Sequence, residues 1–259
     1  MATREMPEPA QQGQRRARWD MRPMTEQDES QTRPDDGTTT GQGTPYDGGI
    51  KRAIDVFISV VALAAYAPVL FVLVLVIRAD SAGPVLFLQP RIGIDRRRTR
   101  LPMPAERERR HVINPGRPFN IIKLRTMAMD AEAGGPRMAS VNDDRVTRVG
   151  RFLRRSRLDE FPQFVNVLRG EMSVVGPRPE RLCFISRFET DVPGYSRRLD
   201  VLPGITGLAQ VLNGYDTDVD SVRRKVKLDG QYIDRLSLQT DLLILALTVR
   251  VVISGKGAL

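Results

Sequence analysis

A single long apolar run constrains this chain more than any other feature. Residues 53–77 read AIDVFISVVALAAYAPVLFVLVLVI, and Asp55 is the only charged residue among them. A helix rises about 1.5 Å per residue, so this run is long enough to cross a hydrocarbon core roughly 30 Å thick. The run therefore predicts a membrane helix; a helix buried in a soluble core is the alternative.

Two features of the run favour a helix that enters and leaves the same leaflet. Pro68 lies past its middle, where proline removes a backbone hydrogen bond and kinks or breaks a helix. Basic residues lie on both sides: Lys51 and Arg52 before it, Arg78 and Arg91 after it. Because cytoplasmic flanks are enriched in Lys and Arg, both ends are predicted to be cytoplasmic. Pro68 is then the membrane break of a re-entrant helix, and a kinked helix that crosses the bilayer stays the alternative.

The residues ahead of this run have a very different composition. Residues 1–49 contain no Val, Ile, Leu or Phe and are rich in Gly, Pro, Gln, Thr and Asp. Such a segment buries too little apolar surface to offset the entropy of ordering, so it is predicted to be a disordered tail. It also lacks the apolar core of a secretory signal. The predicted organisation is this tail, a re-entrant membrane helix at 50–78 and a folded domain at 79–259.

Charge and rare residues limit what the domain can do. The formal net charge is +9, and the tail holds 6 Lys or Arg against 9 Asp or Glu, so residues 50–259 carry +12. A basic body favours anionic partners such as nucleic acid, phospholipid headgroups or phosphorylated substrates. The single cysteine, Cys183, excludes an internal disulfide, and the single histidine, His111, excludes a multi-His metal centre. Any catalysis is therefore expected to use carboxylates, hydroxyls, Lys and Arg.

Hydropathy and turn residues predict an α+β fold that is mainly helical. Short strands are predicted at 83–90 and 118–127, helices at 145–169 and 218–235, and loop-rich strand segments at 173–179 and 202–211. Residues 94–118 are predicted to be a basic surface loop that either touches anionic headgroups or is simply solvated. The run at 241–253 is too short and too charged to span a membrane, and it suits an amphipathic helix lying on a surface.

An acidic pair, Asp159 and Glu160, is the most informative polar feature. Pro162 follows closely, and because proline is tolerated in the first turn of a helix, a helix is predicted to start or restart near residues 158–161. Free backbone amides and upstream arginines are expected to lower the pKa of a carboxylate placed there. An ionised carboxylate beside arginines suits a nucleophile or a Mg²⁺ ligand acting on a phosphate. A helix cap with surface salt bridges is the alternative.

The order of motifs around this pair resembles a known family. KR-x-x-D precedes the apolar run, followed by S-x-G-P-V-x-F-x-Q-x-R-x-G, K-x-R-T-M, L-R-x-x-x-L-D-E-x-P-Q-x-x-N-V-L-x-G-x-M-S-x-V-G-P-R-P and P-G-I-T-G-x-A-Q-V. Together they resemble the bacterial sugar transferases known as monotopic polyprenyl-phosphate phosphoglycosyl transferases, over residues 51–257. The resemblance implies a monotopic membrane protein in which a re-entrant helix carries a small cytoplasmic catalytic domain with amphipathic interfacial helices.

The resemblance also implies a reaction and its partners. The family transfers sugar 1-phosphate from a nucleotide diphosphate sugar, usually a UDP-sugar, to a polyprenyl phosphate such as undecaprenyl phosphate, and releases UMP. This is the first membrane step of polysaccharide or glycoconjugate synthesis. The implied location of the catalytic domain is the cytoplasmic face of the bacterial inner membrane. Membrane lipid is implied as a further partner, and nucleic acid is not. The sugar, and whether the chain forms a homo-oligomer, stay open.

The family's residue roles carry over to matching positions. Asp159 matches the nucleophile that holds the phospho-sugar as an acyl phosphate. Glu160 matches the second carboxylate, with Mg²⁺ coordination or acceptor activation as its role, and the metal ligands would come from this pair. The candidates for phosphate contacts are Lys123, Arg125, Arg154 and Arg178, because a planar guanidinium pairs well with two phosphate oxygens.

Three departures from the family pattern qualify this reading. Ala67 stands where the family often has Ser before the membrane proline, and Arg157 where Ser usually precedes Leu158. Gly93 and Phe119 are usually close in sequence, but here the basic loop separates them. Two alternatives stay open: a membrane-tethered basic binding protein without catalysis, and a direct glycosyltransferase that releases UDP.

Overall fold

The computed structural model describes residues 46–95, 116–131, 133, 143–213 and 219–254. The tail prediction falls almost wholly outside these residues, as does most of the basic loop with His111. Seven helices are described: α1 Lys51–Asp80, α2 Arg148–Ser156, α3 Gln163–Leu168, α4 Leu182–Asp191, α5 Leu208–Leu212, α6 Val219–Asp234 and α7 Leu238–Ser254. The four strands described are β1 Leu86–Ile92, β2 Pro118–Leu124, β3 Ser173–Val175 and β4 Gly204–Thr206.

The apolar run forms one helix, α1, which continues through Pro68 and ends where Ser81 becomes extended. It is long and apolar enough to cross a membrane, and only 17% of its most apolar window is buried. The buried positions form a stripe along its whole length: Lys51, Asp55, Ser59, Tyr66, Leu73 and Ile77. Large apolar side chains are exposed elsewhere on the helix, among them Phe57, Val61, Phe71, Val72 and Leu75. Helix α1 therefore packs on the rest of the chain and leaves an apolar surface uncovered.

The start of the folded region differs from the sequence prediction. A short helical turn, Tyr46–Ile50, precedes α1, and Tyr46 donates a 2.5 Å hydrogen bond to Asp241 in α7. This turn overlaps the last four residues of the predicted tail, 46–49, and the Tyr46 hydroxyl has a buried carboxylate as its partner there. No local pattern in a Gly-rich stretch signals such a distant partner.

Two small sheets position the loops of the domain. Strands β1 and β2 are antiparallel, with Leu86 opposite Leu124 and Ile92 opposite Pro118. Strands β3 and β4 are parallel, with Ser173 paired to Gly204. Gly93 and Phe119 are far apart in sequence but close in space: a Cβ added to Gly93 would lie 3.3 Å from the Phe119 ring. The basic loop therefore leaves and rejoins the hairpin at one point.

The core consists of clusters that join these elements. One cluster combines Val167, Met172 and Val174 with Tyr232 of α6 and Ile244 of α7. Another packs the second half of α1 against β2 and α2, through the buried side chains Tyr66, Leu73, Ile77, Leu124 and Leu153. The mainly helical fold with a few strands agrees with the prediction.

The predicted helix at 145–169 is wrong in its continuity. Helix α2 ends at Ser156 because Arg157 takes a left-handed conformation, with φ of 56°. A 3₁₀ turn, Leu158–Glu160, follows, and α3 begins after Pro162. The helical spacing of Leu158, Phe161 and Val165 is real but is interrupted, and the restart falls where Pro162 predicts it.

Candidate active site

The acidic pair lies in the short turn between α2 and α3. Both carboxylates belong to the 3₁₀ turn Leu158–Glu160, and Asp159 is 7% exposed. The reversal at Arg157 directs the chain back across β2, so the pair faces that strand instead of continuing along α2. A surface cap with solvated salt bridges, the alternative from sequence, does not describe a carboxylate this deeply buried.

Glu160 is held by two cations from distant parts of the chain. Lys123 on β2 donates to its Oε1 at 3.0 Å, and Arg178 donates to the same oxygen at 2.8 Å. Arg178 lies in the Pro-Arg-Pro segment after β3. Three of the predicted site residues are therefore brought together with Asp159, although up to 55 positions separate them in sequence.

The two neighbouring carboxylates have opposite pKa shifts. Burial raises the pKa of Asp159 to about 6, and the adjacent charge of Glu160 adds to the rise against the charges of Lys123, Arg154 and Arg178. Burial also opposes ionisation of Glu160, but the charges and hydrogen bonds of Arg178 and Lys123 outweigh it, so its pKa lies well below its ordinary value. The expectation of a lowered pKa is therefore right for Glu160, through its cations, and wrong for Asp159.

The two remaining predicted arginines occupy different environments. Arg154 donates from Nε to the hydroxyl of Thr126 at 3.0 Å, and its charge acts on Asp159. Arg125 instead donates to the backbone carbonyls of Ser81 and Ala82, at 2.6 and 2.8 Å, just after α1 ends. Arg125 is 6% exposed. With these hydrogen bonds Arg125 stabilises the end of α1, and they lend no support to the phosphate contact predicted for it.

The loop that carries Arg178 is fixed by its backbone. Each of four successive carbonyls accepts a hydrogen bond: Pro177 from the Gly204 amide at 2.9 Å, Arg178 from Arg198 at 3.0 Å, Pro179 from Arg91 at 3.1 Å and Glu180 from the Ile92 amide at 3.0 Å. Because these partners come from β1, β4 and the turn Tyr195–Leu199, the loop has little freedom to move. The guanidinium of Arg178 is therefore presented to Glu160 from a rigid support.

Arg198 is itself buried within a polar network. Its Nε donates to Asp229 on α6 at 2.6 Å, and it lies over the ring of Tyr195 at 5.0 Å. Lys225, one turn before Asp229 on the same helix, donates to Glu180 at 2.6 Å. A buried guanidinium needs such a partner, because an unpaired charge in the interior is very costly. Helix α6 thus supports the loop beneath the acidic pair.

The long apolar helix α1 also reaches the acidic pair. Tyr66 on α1 donates to the backbone carbonyl of Leu158 at 2.8 Å, and its ring stacks on Phe161 with centroids 4.6 Å apart. These two residues flank Asp159 and Glu160 in sequence. The position of the turn therefore depends on where α1 lies.

Comparison with known proteins places this geometry in a family. Residues 46–255 match the family model described as "Bacterial sugar transferase". The chain belongs to the bacterial sugar transferase family. The matched range includes the acidic pair, both cations that bind Glu160, and helix α1.

Named relatives include two that differ in the sugar they transfer. The chain is 39% identical over 215 residues to the UDP-N-acetylgalactosamine-undecaprenyl-phosphate N-acetylgalactosaminephosphotransferase of Aeromonas hydrophila, covering 83% of this chain and 46% of that protein. It is 39% identical over 210 residues to the UDP-glucose:undecaprenyl-phosphate glucose-1-phosphate transferase of Caulobacter vibrioides, covering 80% and 71%. The protein of the same name in Escherichia coli K12 is 37% identical over 212 residues, covering 80% and 41%. The chain thus spans less than half the length of two of these three relatives.

The donor set of this sugar transferase site is compatible with Mg²⁺ held mainly by substrate. Among the residues that the structure describes, no group of three or more His, Cys, Asp or Glu side chains is placed to hold a metal. Mg²⁺ commonly takes one or two carboxylates and completes its shell with water and substrate phosphates. Asp159 and Glu160 fit that mode, and a cage made only of protein ligands does not.

Several residues of the site had no signal in the sequence. Arg198, Asp229 and Tyr66 act on it through contacts that span 20 to 92 positions. Local periodicity marks such residues only as members of helices. The position of Tyr66 in an apolar run is the one hint, because a hydroxyl placed there needs a hydrogen-bond partner.

Proposed function

We propose that this chain transfers sugar 1-phosphate from a UDP-sugar to undecaprenyl phosphate, with Asp159 as a covalent nucleophile. The observation that carries the proposal is the buried acidic pair, in which Lys123 and Arg178 bind Glu160 and leave Asp159 as the carboxylate with the raised pKa. Family membership supports the reaction class. The names of the relatives support the UDP-sugar donor and the undecaprenyl phosphate acceptor.

In the first step a carboxylate oxygen of Asp159 attacks the phosphorus that bears the sugar. The bond from that phosphorus to the bridging oxygen breaks, UMP leaves with the electron pair, and the phospho-sugar stays on Asp159 as an acyl phosphate. Asp159 must be ionised to attack, and a pKa of about 6 leaves it mostly ionised near neutral pH. Such a transfer depends mainly on positioning and on neutralising charge.

In the second step a phosphate oxygen of undecaprenyl phosphate attacks the same phosphorus. The acyl phosphate bond breaks, the carboxylate of Asp159 is regenerated, and the product is undecaprenyl diphosphate sugar. Lys123, Arg178 and Arg154 surround the pair with positive charge. Their role in the proposal is to offset the charge of the phosphates that meet there.

In this proposal the carboxylates of Glu160 and Asp159 would be ligands of Mg²⁺. The chemistry it supplies is neutralisation of the donor's diphosphate charge. Lys123 and Arg178 hold the Glu160 carboxylate in place whether or not a metal is bound. Chelation by EDTA is expected to inhibit turnover, and Mg²⁺ to restore it.

The finer placement of the protein is part of the same proposal. We take α1 to be re-entrant, with the domain on the cytoplasmic face of the bacterial inner membrane, where a soluble nucleotide sugar and a lipid acceptor meet. The contacts along the whole of α1 support this. Lys51 at one end binds Asp241 at 2.5 Å, and Asp80 at the other accepts from the Val149 amide at 3.3 Å. Both partners belong to the same domain.

The decisive experiment measures which nucleotide is released. The purified chain is incubated with undecaprenyl phosphate, Mg²⁺ and either UDP-glucose or UDP-N-acetylgalactosamine, the sugars named for its relatives. Release of UMP supports the proposal, release of UDP indicates a direct glycosyltransferase, and binding without release indicates a membrane-tethered binding protein.

A second arm tests the covalent step. With UDP-sugar alone, the chain should release up to one equivalent of UMP and carry labelled phospho-sugar on Asp159 after quenching. Asp159→Asn should abolish both, since an amide cannot attack. Asp220→Asn, on the exposed first turn of α6, is the matched control and should behave like the wild type. Turnover without labelled protein would contradict the covalent step.

A further inference from the structure

Helix α2 has an unusual distribution of charge. Its nine residues, RVGRFLRRS, include four arginines and no acid. Val149 and Leu153 pack inward, and Arg154 turns toward Thr126. The remaining large side chains are all exposed and follow the spacing of one helix face: Arg148, Arg151, Phe152 and Arg155. We call these four residues the α2 basic face.

The basic face lies beside the membrane helix. Leu153 is fully buried against Leu73 and Ile77 in the last two turns of α1. The start of α2 lies level with the end of α1, where the Val149 amide donates to Asp80. Because α1 passes from apolar to charged residues at this end, α2 lies at the depth where hydrocarbon meets headgroups.

The side chains of the face suit that depth. The Phe152 ring is 60% exposed and lies on the side of α2 next to the packed residues Val149 and Leu153. Within the described part of the chain, no carboxylate pairs with Arg148, Arg151 or Arg155. An exposed apolar ring with three uncompensated cations is the pattern of a helix that binds an anionic lipid surface.

We propose that the α2 basic face binds the headgroups of anionic phospholipids and enriches them next to the acidic pair. This inference rests on the proposed membrane placement of α1 and not on the proposed reaction. Phe152 enters the upper acyl region, and the three arginines meet lipid phosphates and the negative surface potential. Helix α2 continues directly into Arg157 and the turn that carries Asp159, so a membrane contact at α2 would fix the depth of the active site.

The test measures, by fluorescence quenching, which lipid lies next to position 152. The full chain carries Trp19→Phe and a reporter tryptophan, Phe152→Trp, and is placed in nanodiscs of equal phosphatidylcholine and phosphatidylglycerol. Bromine, which quenches tryptophan fluorescence, is attached high on the acyl chains of one lipid or the other. Quenching by brominated phosphatidylglycerol should exceed that by brominated phosphatidylcholine by about twofold, since each arginine near an anionic surface adds attraction.

Two matched variants and one further reporter make the outcome decisive. Changing Arg148, Arg151 and Arg155 to Gln should equalise the two lipids. Changing Arg223, Arg224 and Lys227 to Gln, three exposed cations on α6, should leave the difference intact. Equal quenching in the parent chain, or the same loss in both triple variants, overturns the proposal. A separate reporter, Phe71→Trp on the exposed surface of α1, should be quenched by both lipids. If it is not, the membrane placement fails and the inference fails with it, whatever the reaction proves to be.

Discussion

Arg198 donates a 3.0 Å hydrogen bond to the backbone carbonyl of Arg178, and the side chain of Arg178 in turn binds Glu160 at 2.8 Å. One guanidinium therefore fixes the backbone from which the other extends. Arg198 is 5% exposed and acts toward the acidic pair through this hydrogen bond to Arg178. It is a positioning residue.

Arg198→Lys is expected to lower kcat about tenfold with a small change in KM for the UDP-sugar. A lysine keeps the positive charge opposite Asp229 but lacks the planar fork that reaches Asp229, Tyr195 and the carbonyl of Arg178 together. Steady-state UMP release measures the effect. Arg197→Lys is the matched control, because that neighbouring side chain is exposed and pairs with Asp234 on the surface.

The positioning role is separated from simple destabilisation by a thermal melt. We expect Arg198→Lys to unfold close to the wild-type temperature, because the buried charge of Asp229 keeps a partner. Arg198→Met should instead unfold much earlier, since it leaves that carboxylate unpaired. A lysine variant with full kcat would remove Arg198 from the set of positioning residues.

The pH dependence of the reaction should report Asp159. Its carboxylate attacks only when ionised, and burial with the Glu160 charge raises its pKa to about 6, so kcat/KM should fall as the pH drops below about 6. Glu160→Gln removes one of the charges that raise this pKa. The acid limb of its residual activity should therefore lie at a lower pH than that of the wild type. An acid limb near pH 4 in the wild type would contradict the raised pKa.

The raised pKa also has a consequence for stability. A carboxyl whose pKa is higher in the folded state stabilises the fold below its ordinary pKa, and that stabilisation is lost as the pH rises through about 6. An asparagine at position 159 cannot ionise, so Asp159→Asn should raise the free energy of unfolding at pH 7. A shift of roughly two pKa units corresponds to a gain of up to about 3 kcal/mol. At pH 4 the gain should vanish. Unfolding in detergent at both pH values measures this, with Asp220→Asn expected to show no gain at either.

Local sequence signals predicted those parts of the fold that local chemistry determines. The helical pattern at 218–235 became α6, Val219–Asp234, and Pro162 correctly marked the restart before α3. The break at Arg157 had no signal in the helical spacing, because a left-handed arginine is not marked by any periodicity of apolar residues. Helix α4 and the turn Tyr195–Leu199 were missed for a similar reason, since their buried residues are stabilised by β1 and α6.

For the site as well, the sequence identified residues but not their tertiary contacts. Asp159, Glu160, Lys123 and Arg178 were identified through the family resemblance, and the structure brings all four together. Arg125 belongs to the same K-x-R-T motif as Lys123, yet it turns the other way to the end of α1. Lys123 and Arg125 are two positions apart and would share one face of a continued strand, but β2 ends at Leu124, so tertiary contacts decide where the Arg125 side chain goes.

Contacts at both ends of α1 support its proposed re-entrant placement. In the sequence Lys51 and Arg52 are basic flanks of the apolar run; in the structure Lys51 is buried on Asp241, and Arg52 donates to the carbonyl of Val167 at 2.5 Å. Thirty residues of helix extend about 45 Å, and the same domain contacts both ends. We therefore predict that α1 does not cross the bilayer, since a crossing helix would lose one of these sets of contacts.

Single cysteines test this prediction in a Cys183→Ser background. Gly49→Cys lies exposed just before α1, where an added side chain meets open space, and Asp130→Cys lies exposed after β2. In intact spheroplasts both should resist a membrane-impermeant maleimide, and both should react after lysis. Reaction at position 49 alone before lysis would indicate a crossing helix. Pro68→Ala sharpens the test, because it restores the missing backbone hydrogen bond and favours a straighter helix. It should expose position 49 in a fraction of the molecules, and that fraction should lose activity, because the pull on Tyr66 would withdraw its hydrogen bond from Leu158 beside the nucleophile.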